Sequence, residues 1–370
     1  MKLKIDLLKV IGCMLMLVFV SSCESDPVDG NPKESDPIED NPEQSEHRVF
    51  ILNQGGWGDN NATLWIYNPQ TAKASTLISS IADNRLGDVA QDMLIYGSKL
   101  YIAVSESSNI RVLDAATGQD IKTIPIFNGA IPCNPRYLAA HNGKIYASCY
   151  NGSDGIVARI DTAGLVWEER TRVGSYPEGI AVNNEKIYVA NSGDHELGYD
   201  NTVSVVDIAN FVEIEKITVG TNPNILRADG NYIYMSYQGD WAGIPGGFQR
   251  IDVRDNSVIR VGDAPKADFA IDHGDIYYYD VTYDISDWST VVLFGKMRVA
   301  ADGTKTENPL ITEAVSIVAP YCIAVCPETG KIYISDAGDY SNPGNVFVFD
   351  SQGKKIDEFQ AGIIPCKFAF

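Results

Sequence analysis

The 370-residue chain carries 49 Asp and Glu against 29 Lys and Arg, a formal net charge of −20 at pH 7. That acidity argues against nucleic acid as a partner and against adsorption to anionic lipid. Charge leaves the fold open, so the fold has to be read from pattern.

The chain opens with Lys2, Lys4 and Lys9, then an apolar run from Val10 to Val20, then Ser21-Ser22-Cys23. A basic start, an apolar middle and a boundary of small residues predict a secretory signal over 1–22. The apolar run is short for a membrane span. Removing 1–22 takes away three Lys and one Asp and leaves a charge of −22. Next, ESDPVDGNPK and ESDPIEDNPE write one ten-residue unit twice over Glu24–Glu43. Rich in Pro, Asp and Glu, this stretch lacks the apolar surface that would offset ordering entropy, so 23–46 is expected to be an extended tether.

From residue 47 a repeat takes over. RVFIL, KLYIA, KIYAS, KIYVA, YIYMS, DIYYY and KIYIS centre on Phe50, Tyr101, Tyr146, Tyr188, Tyr234, Tyr277 and Tyr333. Their separations of 51, 45, 42, 46, 43 and 56 residues match a propeller blade. Before each such strand after RVFIL stands a first strand, as in PRYLA (135–139), PEGIA (177–181), PNILR (223–227) and PYCIA (320–324), then a turn. After it come a loop, an alternating strand ending in Asp and a more polar fourth strand. Alternation bounded by turn residues is strand chemistry, and no segment offers a long helical period.

The chain stops at PCKFAF (365–370), a first strand with no KIY strand after it, while RVFIL has no first strand before it. The two halves complete one blade. The expectation is an all-β, seven-bladed β-propeller over 47–370, closed by pairing of the N- and C-terminal strands so that no free edge remains. An eighth blade would need a further KIY strand in the 51- or 56-residue interval, and neither contains one. Cys133, Cys149, Cys322, Cys326 and Cys366 read mainly as small buried hydrophobes, with a Cys322–Cys366 bridge open if the chain ends meet.

In a propeller, the loops from the second to the third strand and from the fourth strand to the next first strand share one face. Length collects there: Asn53–Thr63, Ser105–Asn109, Tyr150–Gly155, Asn191–Asn201, Tyr237–Gly247, Asp280–Thr290 and Asp336–Asn345 against mostly tight turns opposite. Loop length on one rim implies a binding surface. Its candidate ligand-binding aromatics are Trp57, Tyr150, Tyr199, Tyr237, Trp241, Tyr283, Trp288 and Tyr340, with Tyr137, Tyr176 and Tyr321 from the segments entering each blade. Flat rings with polar neighbours suit adaptable recognition. Residues after the repeat proline, or aligned with that position, should face the channel mouth: Gln91, Arg136, Glu178, Asn224, Tyr321 and Cys366. One cation and one anion in a polar ring suit a neutral or zwitterionic ligand.

No nucleophile elbow, zinc-protease helix, P-loop or dinucleotide glycine fingerprint is present. Of the four histidines only His195 falls on the rim. Asp194, Glu196 and Asp200 could hold calcium, though not with EF-hand spacing, and Asp59, Asp240 and Asp339 equally fit turns. The expectation is no catalytic residue, no metal and no intrinsic cofactor: not an enzyme.

Val20-Ser21-Ser22-Cys23 resembles the lipobox of bacterial lipoproteins, which implies lipidation of Cys23. Glu24 and Asp26 after it resemble the surface-export signal of Bacteroides-type lipoproteins, which implies the outer face of the outer membrane. KIYVAN and PEGIAV resemble YVTN-type propellers. FILNQGGWGDNNATLWIYN (50–68), taken with these, resembles the BtuG family of surface propellers that capture corrinoids such as vitamin B12. The resemblance implies a cobamide ligand on the long-loop face, handed to a TonB-dependent outer-membrane transporter, with membrane attachment only through the lipid. The alternative is an adaptor gripping a protein or glycan; a propeller lactonase or lyase ranks below it.

Overall fold

The computed structural model describes residues 48–77, 86–264, 266–283 and 290–370. The predicted signal, Cys23 and the tether lie outside the described residues, as does Trp288; of Tyr283 only the backbone is described.

The strands come in fours. Blade 1 begins with β1 (Val49–Asn53), β2 (Thr63–Asn68) and β3 (Lys73–Thr76). Blade 2 is β4 (Ala90–Tyr96), β5 (Lys99–Val104), β6 (Asn109–Asp114) and β7 (Asp120–Pro125). A small hairpin of β8 (Phe127–Asn128) and β9 (Ile131–Pro132), absent from the expected pattern, then leads onward. Blade 3 is β10 (Asn134–His141), β11 (Lys144–Asn151), β12 (Asp154–Asp161) and β13 (Val166–Val173). Blade 4 is β14 (Pro177–Asn183), β15 (Lys186–Asp194), β16 (Gly198–Asp207) and β17 (Val212–Thr218). Blade 5 is β18 (Pro223–Asp229), β19 (Tyr232–Gly239), β20 (Pro245–Asp252) and β21 (Val258–Gly262). Blade 6 is β22 (Asp268–Asp272), β23 (Asp275–Tyr283), β24 (Thr290–Val299) and β25 (Lys305–Pro309). Blade 7 is β26 (Pro320–Val325), β27 (Ile332–Asp336), β28 (Pro343–Phe349) and β29 (Lys355–Ile363). The last strand, β30 (Pro365–Ala369), lies antiparallel to β1 as the innermost strand of blade 1.

One expectation is corrected here. Terminal pairing was to leave no free edge, yet each blade is an open four-stranded sheet, and among the described residues no sheet is closed by hydrogen bonds. In blade 1 the order is β3-β2-β1-β30, with β3 and β30 as its edges. What joins one blade to the next is packing. Among the described residues, seven hydrophobic clusters each span two neighbouring blades. One of them sets Val49, Ile51 and Phe368 of blade 1 against Tyr333 and Val348 of blade 7. A twisted sheet strands apolar side chains on both faces, and a neighbour on each side buries them. The KIY tyrosines serve this purpose: Tyr101, Tyr146, Tyr188 and Tyr333 are fully buried.

On one face, two-residue turns join the first and second strands of blades 2 to 6, and a six-residue turn joins those of blade 7. Asn142-Gly143, Asn184-Glu185 and His273-Gly274 all have φ between 45° and 76°, which matches the right-handed strand twist. We call this the turn face and the other the loop face. On the loop face, much of the expected loop is strand. β15 and β16 run on together until Asp194 opposes Gly198, so Asn191–Asn201 is a projecting hairpin with a short tip.

Candidate functional site

The inner strands are β30, β4, β10, β14, β18, β22 and β26, one per blade. Where they begin, on the loop face, polar groups bridge every seam of the ring. Lys367 Nζ of blade 1 lies 2.7 Å from Asp92 Oδ1 of blade 2. Asp92 Oδ2 accepts the Leu138 N–H of blade 3 at 2.9 Å. Arg136 of blade 3 grips Glu178 of blade 4 with two bonds of 3.2 and 3.1 Å. Ser192 of blade 4 donates to the Pro223 carbonyl of blade 5. Arg227 of blade 5 lies 3.4 Å from Asp268 of blade 6, and the other oxygen of Asp268 accepts the Ile323 N–H of blade 7 at 3.1 Å. Tyr321 of blade 7 donates to Gln54 of blade 1 at 2.7 Å. Carboxylates buried this deeply are stable only when paired and hydrogen-bonded. Asp92, Glu178 and Asp268 meet that condition with Lys367, Arg136 and Arg227.

Arg136 and Glu178 anchor the densest part. The Tyr150 hydroxyl donates to Glu178, and the Arg136 guanidinium lies 4.9 Å from the Tyr150 ring centroid. Tyr176 meets Tyr150 edge-on at 5.0 Å. Burial disfavours the charged form of Arg136, but the Glu178 carboxylate outweighs it and holds the guanidinium protonated. Burial, then the same carboxylate, pushes the phenols of Tyr150 and Tyr137 well above their usual range. Burial also raises Tyr321. The mouth is therefore lined by neutral phenols and by charges already paired. In blade 4 the strand start holds Gly179, where a Cβ would sit 2.4 Å from the Asn224 carbonyl oxygen. The neighbouring inner strand passes too close there for any side chain.

The rim residues separate into groups. Trp57, Trp241 and Tyr340 are 80%, 73% and 50% exposed, and Tyr340 packs edge-on against Tyr321 at 6.1 Å. Tyr199 and Asn224 are half-buried, and His195 is exposed at the tip of the β15–β16 hairpin. Tyr237 is buried in a blade 4–5 cluster, pressed between Gly220 and Gly247, so its ring is core. The rim aspartates make turns: Asp194 accepts the N–H groups of Glu196 and Leu197, Asp240 those of Ala242, Gly243 and Ile244, and Asp339 those of Ser341 and Asn342. Those donors hold all three carboxyls below their usual range. Among the described residues no group of three or more His, Cys, Asp or Glu is placed to hold a metal. The five cysteines named above are unpaired, four of them buried.

Sequence reading missed Asp92, Arg227, Asp268 and Lys367. A signal was present: each is a charge inside an apolar first strand, as in AQDML (90–94) and PCKFA (365–369). Two cavities of about 680 Å³ also went unforeseen, one on the turn face at blades 7, 1 and 2, the other beside the outer part of β24. Neither is lined by the predicted rim residues.

No family model and no curated protein matches the chain. Solved structures do. A Bacteroides fragilis protein described provisionally as a 6-phosphogluconolactonase aligns with a TM-score of 0.61 at 13% identity, covering 88% of this chain and 98% of its own. Hydrazine synthase of Kuenenia stuttgartiensis aligns at 0.58 and 17% identity, covering 71% and 76%. A dihydro-heme d1 dehydrogenase aligns at 0.52 and 10%, covering 86% and 74%. At such identities the likeness shows the fold alone: this chain is a seven-bladed β-propeller distantly related to several others. It also corrects an expectation. The absence of catalytic motifs supports the expectation that the chain is not an enzyme, but structures that share its fold are named for catalysis, and that expectation is withdrawn.

Proposed function

We infer that this chain captures a bulky, uncharged, amide-bearing ligand on its loop face, and that the ligand is a corrinoid. The observation that carries the reading is a channel mouth whose charges pair with one another, on the same face as the loops that carry exposed Trp57, Trp241 and Tyr340. Such a mouth offers no surplus charge to a polyanion. It offers phenol hydroxyls and amides to a ligand studded with amides, and flat rings to its apolar edges. Anchoring through Cys23 and transfer to a TonB-dependent outer-membrane transporter belong to the same proposal, on the strength of the lipobox and the family resemblance.

Calorimetry with cyanocobalamin tests it directly. Saturable heat is expected at micromolar protein, and a flat titration removes the corrinoid reading. Pull-down from outer membranes with and without the corrinoid separates transporter transfer from an adaptor role, since an adaptor would hold its partner regardless of ligand. A catalytic second reading has one observation in its favour: Glu178, a buried carboxylate between Tyr150 and Arg136 at the channel mouth. Turnover of a sugar-phosphate lactone by the wild-type chain, lost in Glu178→Gln, would establish it.

A further inference from the structure

The inner strands share a backbone device just inside the loop face. In blades 1, 2, 3, 4, 5 and 7 the inner strand carries one residue more than the strand it pairs with, directly after the repeat proline or, in blade 2, after Ala90. A bulge interrupts the ladder and re-aims the side chain it carries. Here the bulges turn groups toward the middle of the ring. Burial, then the Glu178 carboxylate, raises the phenol of Tyr137 in blade 3, and Asp92 of blade 2 and Asp268 of blade 6 are near enough to add to it. Burial, then Cys366, raises the Tyr321 phenol of blade 7, and Arg136 of blade 3 is near enough to oppose it.

The device repeats, but its chemistry does not. Some bulge residues are committed to the protein. Arg136 and Glu178 hold each other, Tyr321 donates to Gln54, and the Cys366 thiol donates to the Ala90 carbonyl at 3.3 Å. Others are not. Among the described residues, the side-chain amides of Gln91 in blade 2 and Asn224 in blade 5 and the hydroxyl of Tyr137 have no hydrogen-bond partner, and all three residues are half-buried. A polar group placed inward and left unbonded by the protein is available to water or to a ligand. Filling the bulge does not require one, since Ile225 does so in blade 5 with an apolar side chain.

We propose that Gln91, Tyr137 and Asn224 are the specificity-determining contacts of the loop-face site, and that they take primary amides of the ligand. Each side-chain amide offers a donor and an acceptor, and the phenol O–H donates to a carbonyl. That set matches a carboxamide, which has both kinds of group. It fits a carboxylate worse, since a carboxylate has no N–H to give. The assignment rests on the corrinoid reading and adds to it the groups that recognise the amides, as distinct from the exposed rings that hold the apolar edge.

Calorimetry on the folded chain tests it with cyanocobalamin and with its b-, d- and e-monocarboxylic acids, in each of which one propionamide is a carboxylate. Gln91→Leu, Tyr137→Phe and Asn224→Leu should each raise the Kd for cyanocobalamin about threefold to tenfold, and the triple variant about thirtyfold or more. At least one monocarboxylic acid should bind the wild type about fivefold more weakly than cyanocobalamin and lose that penalty in the triple variant. Melting temperatures should stay within about 2 °C of the wild type, because the groups removed bond nothing in the protein. Should the triple variant fail to fold, Tyr137→Phe, which removes a single oxygen, decides the matter by its Kd. A flat wild-type titration overturns the corrinoid reading and this assignment with it. Saturable wild-type binding that the variants match overturns the assignment alone, as do equal affinities for all these ligands, or a loss of affinity that comes with a lowered melting temperature.

Discussion

On the loop face, the inner strands begin with ionisable side chains that pair across seams, and hairpins project beyond the blades carrying exposed tryptophans. On the turn face, the same strands are joined by short turns, two residues long in blades 2 to 6, and a cleft lies beside the unjoined pair β30 and β1 of blade 1. The difference teaches that loop length and cavity are set by separate causes. Loop length follows from insertions that the strand ends tolerate. The cleft lies where turns of blades 1, 2 and 7 surround the pair β30 and β1, strands far apart along the chain. It also divides the loop face itself into a buried polar ring that bridges the blades and a solvent-exposed rim that carries the tryptophans.

The sharpest way to break this division is to remove one partner of the best-built pair. Glu178→Ala leaves Arg136 without its carboxylate and should destabilise the domain by about 3–5 kcal/mol in chemical denaturation. Arg136→Met with Glu178→Met should recover most of that loss; a single mutant costing under about 1 kcal/mol would mean that the ring does not hold the seams. Asp268→Ala comes next. It removes acceptors for the N–H groups of Phe269 and Ile323 as well as the partner of Arg227, and about 2–3 kcal/mol is expected, with Asp268→Asn costing less.

The rim should behave in the opposite way. Trp57→Ala, Trp241→Ala and Tyr340→Ala should each change stability by no more than about 0.5 kcal/mol. Together they should weaken cyanocobalamin binding at least tenfold, since an aromatic anchor contributes about 2 kcal/mol. Unchanged affinity would move the ligand site off these residues. The smallest effect concerns the loop tips. The backbone donors of Ala242, Ile244 and Gly243 hold Asp240 below the ordinary aspartate value of 3.8. A carboxyl depressed on folding adds stability above its unfolded pKa and loses it as pH falls through the folded value. A carboxyl NMR titration should therefore give a midpoint for Asp240 below 3.8, and the penalty of Asp240→Ala should vanish in stronger acid.

Much of this is local chemistry and therefore legible in one dimension. The KIY tyrosines announce their burial through period-two alternation, and the Asn-Gly turn at 142–143 announces its φ values. The site was legible only in part. Arg136 and Glu178 follow the repeat proline, which marked both, although nothing in their spacing says that they grip each other. Lys367 and Asp92 lie 275 residues apart, and only closure of the ring brings them to 2.7 Å. Tyr150 stands opposite Asn134 and Tyr237 opposite Pro223, one place earlier in the repeat, so alternation already turns the two rings to opposite sides of their strands. What only the tertiary structure supplies is the place Tyr237 fills, in the seam of blades 4 and 5 against Gly220 and Gly247.

The amino-acid order alone determined the strands, their number per blade and the blade count, because alternation, turn chemistry and repeat length are properties of contiguous residues. Tertiary structure decided that the blades stay open sheets held by packed seams, which charges neutralise which, and that a cleft forms on the side with the shortest turns. Each of these depends on groups distant along the chain meeting in space, and no window of contiguous residues carries that information.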